Sequence, residues 1–175
     1  MDLILPSLEY ESSYRAYIRE LGQETRYPFP LDYEHGDFPA LLRRLANLAN
    51  GTEVPEGFVP SSTFWLVDRS ELIGVSNLRH YLNERIRQHG GHIGLGIRPS
   101  SRGRGLGRIL LARTILEARA RGIDEIHIHC RKGNVASARL IIGSGGVLSS
   151  EVALEGTSEI VQRFRVAAVI RAPRE

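Results

Sequence analysis

Apolar residues recur along this chain in two rhythms. At helical spacing stand Tyr14, Tyr17, Ile18 and Leu21; then Phe38, Leu41, Leu42, Leu45 and Leu48; then Leu106, Ile109, Leu110, Leu111, Ala112, Ile115 and Leu116. Each set marks the buried stripe of an amphipathic helix. Gly22 stops the first, Asn50-Gly51 the second, and the third begins near Gly105 and runs to Arg121. Asn134-Val135-Ala136-Ser137 opens a further helix on a good capping residue.

Strand rhythm fills the intervals. Residues 3–5 read as a short strand stopped by Pro6, residues 63–68 and 72–82 as a hairpin across Arg69-Ser70-Glu71, and residues 91–97 and 125–130 as two more strands. Residues 147–154 and 159–170 flank Glu155-Gly156-Thr157-Ser158, a second hairpin signal. Residues 51–62, with Pro55, Gly57 and Pro60, are expected as loop, and the polar residues 83–90 as a longer hairpin loop. The predicted fold class is α/β (α+β): a mixed, mostly antiparallel central sheet with a parallel crossover through the helix at 106–121 and flanking helices, in a single domain over residues 1–175.

One stretch carries the chemistry. In Gly91-His92-Ile93-Gly94-Leu95-Gly96-Ile97, the apolar Ile93, Leu95 and Ile97 alternate with His92, Gly94 and Gly96. One strand face is thus almost bare of side chains, as where something lies close against it. Pro99 turns the chain, and Arg102-Gly103-Arg104-Gly105-Leu106-Gly107-Arg108 leads into the helix. The first turn of a helix has unpaired N–H groups and roughly half a positive charge, so an anion there is both hydrogen-bonded and attracted. Gly103, Gly105 and Gly107 remove Cβ atoms that would hold it away, and Arg102, Arg104 and Arg108 add positive charge. This is not a P-loop, which needs Gly-Lys-Ser/Thr where the chain's one lysine is Lys132, nor the G-x-G-x-x-G dinucleotide fingerprint.

Arg102-Gly103-Arg104-Gly105-Leu106-Gly107 resembles the R/Q-x-x-G-x-G/A signature of the GNAT superfamily of acyl-CoA-dependent N-acetyltransferases. The order around it is similar too: a strand and Ile-x-Pro before it, an amphipathic helix after it, then Glu125-Ile126-His127-Ile128-His129-Cys130, the Asn134 helix and Gly143-Ser144-Gly145-Gly146. Val59-Pro60-Ser61-Ser62-Thr63-Phe64-Trp65-Leu66-Val67 further looks like a bacterial subgroup of predicted acetyltransferases. The resemblance implies acetyl-CoA as cosubstrate and direct transfer of its acetyl group to an amine. It assigns the pyrophosphate to backbone N–H groups from Arg102 through Arg108, Leu106 among them, and lets Leu95, Gly96 and Ile97 pair with the pantetheine amides like an added strand. An N–H near Ile97 would polarise the thioester carbonyl. Asn134 takes the place that contacts the pantetheine arm, a role compatible with plain helix capping. The helical pair of the N-terminal third would border the acceptor pocket, so Tyr27, Phe29 and Tyr33 either line a substrate entrance or pack beneath a loop.

A primary amine with a pKa of about 10.4 is almost wholly protonated at pH 7, a deficit of roughly 4.6 kcal/mol for attack, so a base or a water chain must take its proton. Many relatives place a carboxylate on the strand before the anion loop. Gly90-Gly91-His92 has none, which leaves His92, and His80 on the preceding strand, as candidate bases against a reading of both as ordinary strand histidines. Asn77, Arg79 and Tyr81 share one face of that strand and are candidate substrate contacts. The Tyr that relatives often carry seven residues after the Asn, as acid for the departing thiolate, is Ile141 here. A thiol of pKa about 8.5 leaves unaided at a cost of about 2 kcal/mol, and Ser137, Cys130 or Tyr81 can substitute as the acid.

Composition changes this picture little. With 175 residues and 42% hydrophobic content the chain can bury one core. The net charge is only +3, but all but one of the 23 basic residues are arginine, and seven of those lie in residues 98–121 opposed by Glu117 alone, a positive field for a phosphate-bearing cofactor. No aromatic stacking pattern accompanies that charge, so no nucleic-acid partner is expected. His127 and His129 share a strand face, yet two ligands are too few, and no metal site is expected. One cysteine, no long apolar run and no targeting segment suggest a cytoplasmic protein without a membrane partner. The expected partner is a small-molecule or protein amine acceptor, and a homodimer is compatible with the sequence. The alternative of another class is an acyl-CoA-binding regulatory module without turnover, which the missing Tyr and carboxylate favour.

Overall fold

The computed structural model describes residues 1–167, so the last residues of the strand expected at 159–170 and the end of the expected domain lie outside the described residues. The elements in chain order are β1 (Asp2–Ile4), α1 (Glu11–Leu21), α2 (Phe38–Asn50), β2 (Ser61–Asp68), β3 (Glu71–Arg79), α3 (Glu84–His89), β4 (Ile93–Ile97), α4 (Leu106–Ala120), β5 (Ile126–Arg131), α5 (Val135–Gly143), β6 (Val147–Ala153) and β7 (Ile160–Val166). They form one sheet of order β1-β2-β3-β4-β5-β7-β6. Every neighbouring pair is antiparallel except β4 and β5, which are parallel and joined through α4. This is the mixed, mostly antiparallel sheet with a crossover helix that the hydrophobic pattern predicts.

Residues 83–90 correct the expectation of a loop, because they hold α3. Asn83 caps it by accepting the Ile86 N–H at 2.9 Å, with Glu84 in the first turn and Arg87 and His89 in the last. None of its residues is fully buried, so it shows no apolar stripe to read. β3 also ends at Arg79 rather than at residue 82, with one last bond in register from the His80 N–H to the Pro60 carbonyl at 2.9 Å.

Helices cover both faces of the sheet. On one, Tyr14, Tyr17, Ile18, Leu21, Phe38, Leu41 and Leu45 of α1 and α2 pack on Trp65, Val67 and Val75. Tyr14 stacks on Trp65 at 5.6 Å between ring centroids and meets Phe38 edge-on at 5.3 Å. On the other, Leu111, Ile115 and Ala118 of α4 and Ile141 of α5 pack on Phe64, Leu78, Ile93, Ile126, Ile128 and Phe164. A buried hydroxyl pair fixes the height of α4 on the sheet: Ser76 and Thr114 share a hydrogen bond of 2.7 Å, and Thr114 also donates to the Leu110 carbonyl at 2.8 Å.

The parting of β4 from β5 places the site. β4 and β5 are in register at Ile93↔Ile128 alone. Beyond that pair the two parallel strands diverge, and their carboxyl ends stand apart as in other open α/β sheets that bind ligands there.

Candidate active site

The divergence leaves a cleft of about 500 Å³. Tyr17 and Leu21 of α1 and Thr25 and Tyr27 of the following loop line it on one side, with Leu95 of β4 and Arg102; His129, Cys130 and Arg131 of β5 and Asn134 and Ser137 at the start of α5 line the other. Backbone alternation decides what β4 offers to this space. The backbone N–H of Arg79 donates to the His92 carbonyl at 2.8 Å and that of Arg98 to the Ile73 carbonyl at 2.9 Å, so the even-numbered residues of β4 bond to β3. The N–H and C=O of Leu95 and the N–H of Ile97 therefore point to the opposite edge, where β5 has moved away. The Ile97 carbonyl is taken by Arg102 Nε at 3.0 Å.

The turn from β4 into α4 has the geometry an anion cradle requires. Gly103 and Gly105 have φ of +74° and +76°, a left-handed conformation that glycine adopts freely, and a Cβ on either would meet no atom within 4 Å. No side chain caps α4 and no acidic residue stands in its first turn. The Arg102 N–H donates to the Pro99 carbonyl at 3.2 Å and the Arg108 N–H to the Gly105 carbonyl at 3.1 Å. Between them, the N–H groups of Gly103, Arg104, Gly105, Leu106 and Gly107 find no backbone acceptor among the described residues. Gly107 serves a different end, since a Cβ there would lie 3.3 Å from Leu140, where α5 approaches α4.

The arginines divide likewise. Arg98 pairs with Glu20 at 2.6 Å, which with a second hydrogen bond from Ser100 pulls the Glu20 carboxyl down to about 2, and Arg102 pairs with Glu24 at 2.8 Å. These pairs clamp the end of α1 to the loop, so part of the charge there is already answered. Arg104 makes no ion pair among the described residues, and Arg108 lies against Gly143 of α5. Across the cleft, Asn134 caps α5 by accepting the Ser137 N–H at 3.0 Å through Oδ1. Ile141 is buried in the core.

The bare face of β4 is covered by the chain itself. A Cβ on Gly94 would stand 2.6 Å from the Tyr27 hydroxyl, and one on Gly96 would overlap the Tyr27 carbonyl oxygen. Tyr27 thus folds over the strand and lines the cleft, while Phe29 and Tyr33 pack edge-on to each other at 5.7 Å. Tyr17, fully buried, also lines the cleft, and its hydroxyl has no hydrogen-bond partner; burial raises its pKa. Its helical spacing marked it as core, and nothing in the sequence distinguished its hydroxyl.

The histidines separate. His92 accepts the His127 N–H through Nδ1 at 3.0 Å and does not line the cleft; burial, then His127 and nearby arginines, lowers its pKa to about 4. His80 bonds through Nε2 to Ser62 Oγ at 2.9 Å, which also accepts from Arg121, and lies away from the cleft; burial lowers its pKa. Asn77 is buried beneath Ser61 and Thr63, and Tyr81 is exposed beyond the end of β3. His129 does line the cleft, is 7% exposed, and has no partner on either ring nitrogen. The sequence placed it only in a strand pair too small for a metal. Among the described residues no group of three or more His, Cys, Asp or Glu side chains is disposed to hold a metal, and no helix is long and apolar enough to cross a membrane.

Residues 17–142 match the model of the Acetyltransferase (GNAT) family. The chain belongs to this family. No curated protein matches it by sequence. Among solved structures, this acetyltransferase is similar to a spermidine N-acetyltransferase SpeG chimera from Vibrio cholerae and hSSAT, at 17% identity over 95% of this chain and 96% of that one with a TM-score of 0.66. RimL, a ribosomal L7/L12 alpha-N-protein acetyltransferase in complex with coenzyme A, is 16% identical over 95% and 93% with a TM-score of 0.68. The microcin C7 self immunity acetyltransferase MccE, in complex with acetyl-CoA and AMP, is 15% identical over 94% and 91% with a TM-score of 0.66. At these identities the likeness is one of fold.

Proposed function

We propose that this acetyltransferase moves the acetyl group of acetyl-CoA directly to the nitrogen of an amine. The observation that carries the reading is a coincidence in one cleft: unpaired backbone groups on the open edge of β4 run straight into the uncapped start of α4. An extended chain ending in a pyrophosphate matches both. Gly103, Arg104, Gly105, Leu106 and Gly107 hold the phosphates by their N–H groups, with Arg102 and Arg108 closing the two ends of the turn. Leu95 and Ile97 pair with the pantetheine arm, Gly96 keeps β4 thin enough for Tyr27 to lie behind it, and Asn134 offers the Nδ2 donor that its cap leaves over.

The thioester supplies the activated acetyl group, and the chain's residues position and neutralise. An N–H at Ile97 polarises the carbonyl as negative charge grows on its oxygen. Ser137, at the cleft, donates a hydrogen bond to the departing thiolate and relays to it a proton taken from water, since Ile141 carries no hydroxyl. For the amine's proton, His129, His127 and His92 form a row, with ring centroids 6.2 and 5.7 Å apart. A pKa of about 3 keeps His129 neutral at pH 7, so it orients the amine or a water, and water carries the proton off, with His92 at the back of the row. His80 stands outside the row and is the control.

The experiment is release of free CoA from acetyl-CoA, followed with a thiol reagent across an amine panel. Amine-dependent release supports transfer. Tight acetyl-CoA binding without release for any amine favours the second reading, a binding module, which the buried Ile141 in the acid's place makes worth testing.

A further inference from the structure

The geometry points to an acceptor that carries an anionic oxygen group, carboxylate or phosphate, beside its amine. The inference rests on the acetyl-transfer reading for the amine, and on the charges around the cleft for the anion. Among the described residues no aspartate or glutamate lines the cleft, whereas Arg102, Arg131, His89 and His129 do. His129 stands there with both ring nitrogens buried and without partners. Buried polar atoms in that condition are rare because each forfeits its hydration, and a ligand oxygen at the cleft would accept the one N–H the neutral ring carries.

Two arginines behind His129 lack counter-ions. Arg79, half-buried, sits 5.6 Å over the Phe29 ring and donates to the carbonyls of Gly90 at 3.3 Å and Gly91 at 2.9 Å. Arg163 donates to Ser150 Oγ and Gln88 Oε1, each at 2.8 Å. Among the described residues neither has a carboxylate within 4.0 Å. Both act on His129 as positive charges, adding to the burial and the His127 ring that keep it neutral. The carboxylates at the rim are already engaged: Glu159 with Arg131 at 2.9 Å, Glu151 with Lys132 at 2.9 Å and Glu24 with Arg102 at 2.8 Å. A polyamine entering this cleft meets positive charge with no free carboxylate. An amine with a nearby anion meets the His129 N–H inside, Arg131 at the mouth, where it is shared with Glu159, and the field of Arg79 and Arg163 behind.

The test measures binding apart from turnover. Protein saturated with CoA is titrated calorimetrically with matched pairs: amino acids against their amides, phosphoethanolamine against ethanolamine, and spermidine alone. The anionic member of at least one pair should bind about tenfold tighter than its twin, a charge-assisted contact's worth, and which pair does so separates carboxylate from phosphate. His129→Leu and Arg131→Gln should each lower that ratio several-fold, while His129→Gln, which keeps an N–H donor, should preserve much of it. Spermidine or the uncharged twins binding as tightly, or no saturable binding by any anionic amine, overturns the inference. Free-CoA release by the same amines, measured separately with acetyl-CoA in place of CoA, separates the two ideas. Spermidine that is bound and acetylated in preference removes the anion subsite and leaves the transferase; an anionic amine that binds with the stated preference and is never acetylated removes the transferase and leaves the subsite.

Discussion

Replacing Gly105 by alanine and by glutamate separates backbone from charge at the start of α4. Gly105 sits at φ +76°, and a Cβ there meets no atom within 4 Å. Alanine therefore costs only the left-handed conformation, about 1–2 kcal/mol. In a chain of this size that lowers the melting temperature by about 3–6 °C. The Gly105 N–H survives and the space stays open, so acetyl-CoA affinity should change little. Glutamate carries the same backbone cost and adds a negative charge beside the cradle. At about 5 Å from one phosphate charge and an effective dielectric of about 40, the repulsion is about 1.7 kcal/mol, or about fifteen- to twentyfold in affinity. Calorimetric titration of the three proteins with acetyl-CoA reads this directly. The gap between the variants should narrow in high salt, because an exposed charge is screened. Equal binding by the alanine and glutamate variants, with both folded, would refute the assignment of the phosphates to this turn.

Three further outcomes follow from the geometry. Asn134→Asp keeps the oxygen that accepts the Ser137 N–H and loses the Nδ2 donor, whereas Asn134→Ala loses both. The alanine variant should lose about 1 kcal/mol of stability in thermal melts and the aspartate variant much less, while both bind acetyl-CoA more weakly; full affinity in the aspartate variant would make Asn134 a cap alone. Gly94→Ala puts a Cβ 2.6 Å from the Tyr27 hydroxyl, and should cost about 1–3 kcal/mol and displace Tyr27, read as a change in tyrosine fluorescence or near-ultraviolet dichroism; an unaltered melt and spectrum would contradict the close packing. Stability should fall on acidification. His92 holds a folded pKa near 4 against an unfolded 6.5, so the unfolded chain takes up the proton first. Its contribution is complete above pH 6.5 and lost progressively as pH drops to 4, about 3 kcal/mol in all. His92→Gln should lessen the fall of the denaturant midpoint across that window without abolishing it, because His129, with a folded pKa of about 3, loses stability over the same range; an unchanged slope would show that His92 contributes nothing.

Much of this fold is legible because local rules and global packing agree. The helices α1, α2 and α4 place Tyr14, Tyr17, Phe38, Leu41, Leu110 and Ile115 in the core, where their spacing put them, whereas Ile109, Ala112 and Leu116 of the α4 set face outward and are exposed. The glycine turn before α4 was legible for a related reason, since Gly103 and Gly105 take the left-handed backbone that glycine adopts freely. α3 was not, because a short helix without a buried residue has no periodicity; the signal was Asn83 followed by Glu84. The bare face of β4 correctly implied a close neighbour, but the neighbour is Tyr27, distant in sequence and brought there by the packing of α1. The histidines escaped for the same cause: that His92 Nδ1 is bonded to the His127 N–H, while both nitrogens of His129 stay unpaired at the cleft, depends on the approach of β4 and β5 and leaves no trace in either strand's pattern.

The most direct measurement is the crystal structure of the protein with acetyl-CoA bound. The pantetheine arm should lie between β4 and β5, hydrogen-bonded to the backbone of Leu95 and Ile97, with the pyrophosphate on the N–H groups from Gly103 to Gly107 and the thioester facing Tyr17, Ser137 and His129. Acetyl-CoA elsewhere on the surface, or β5 drawn in against β4 so that the cleft closes, would contradict it.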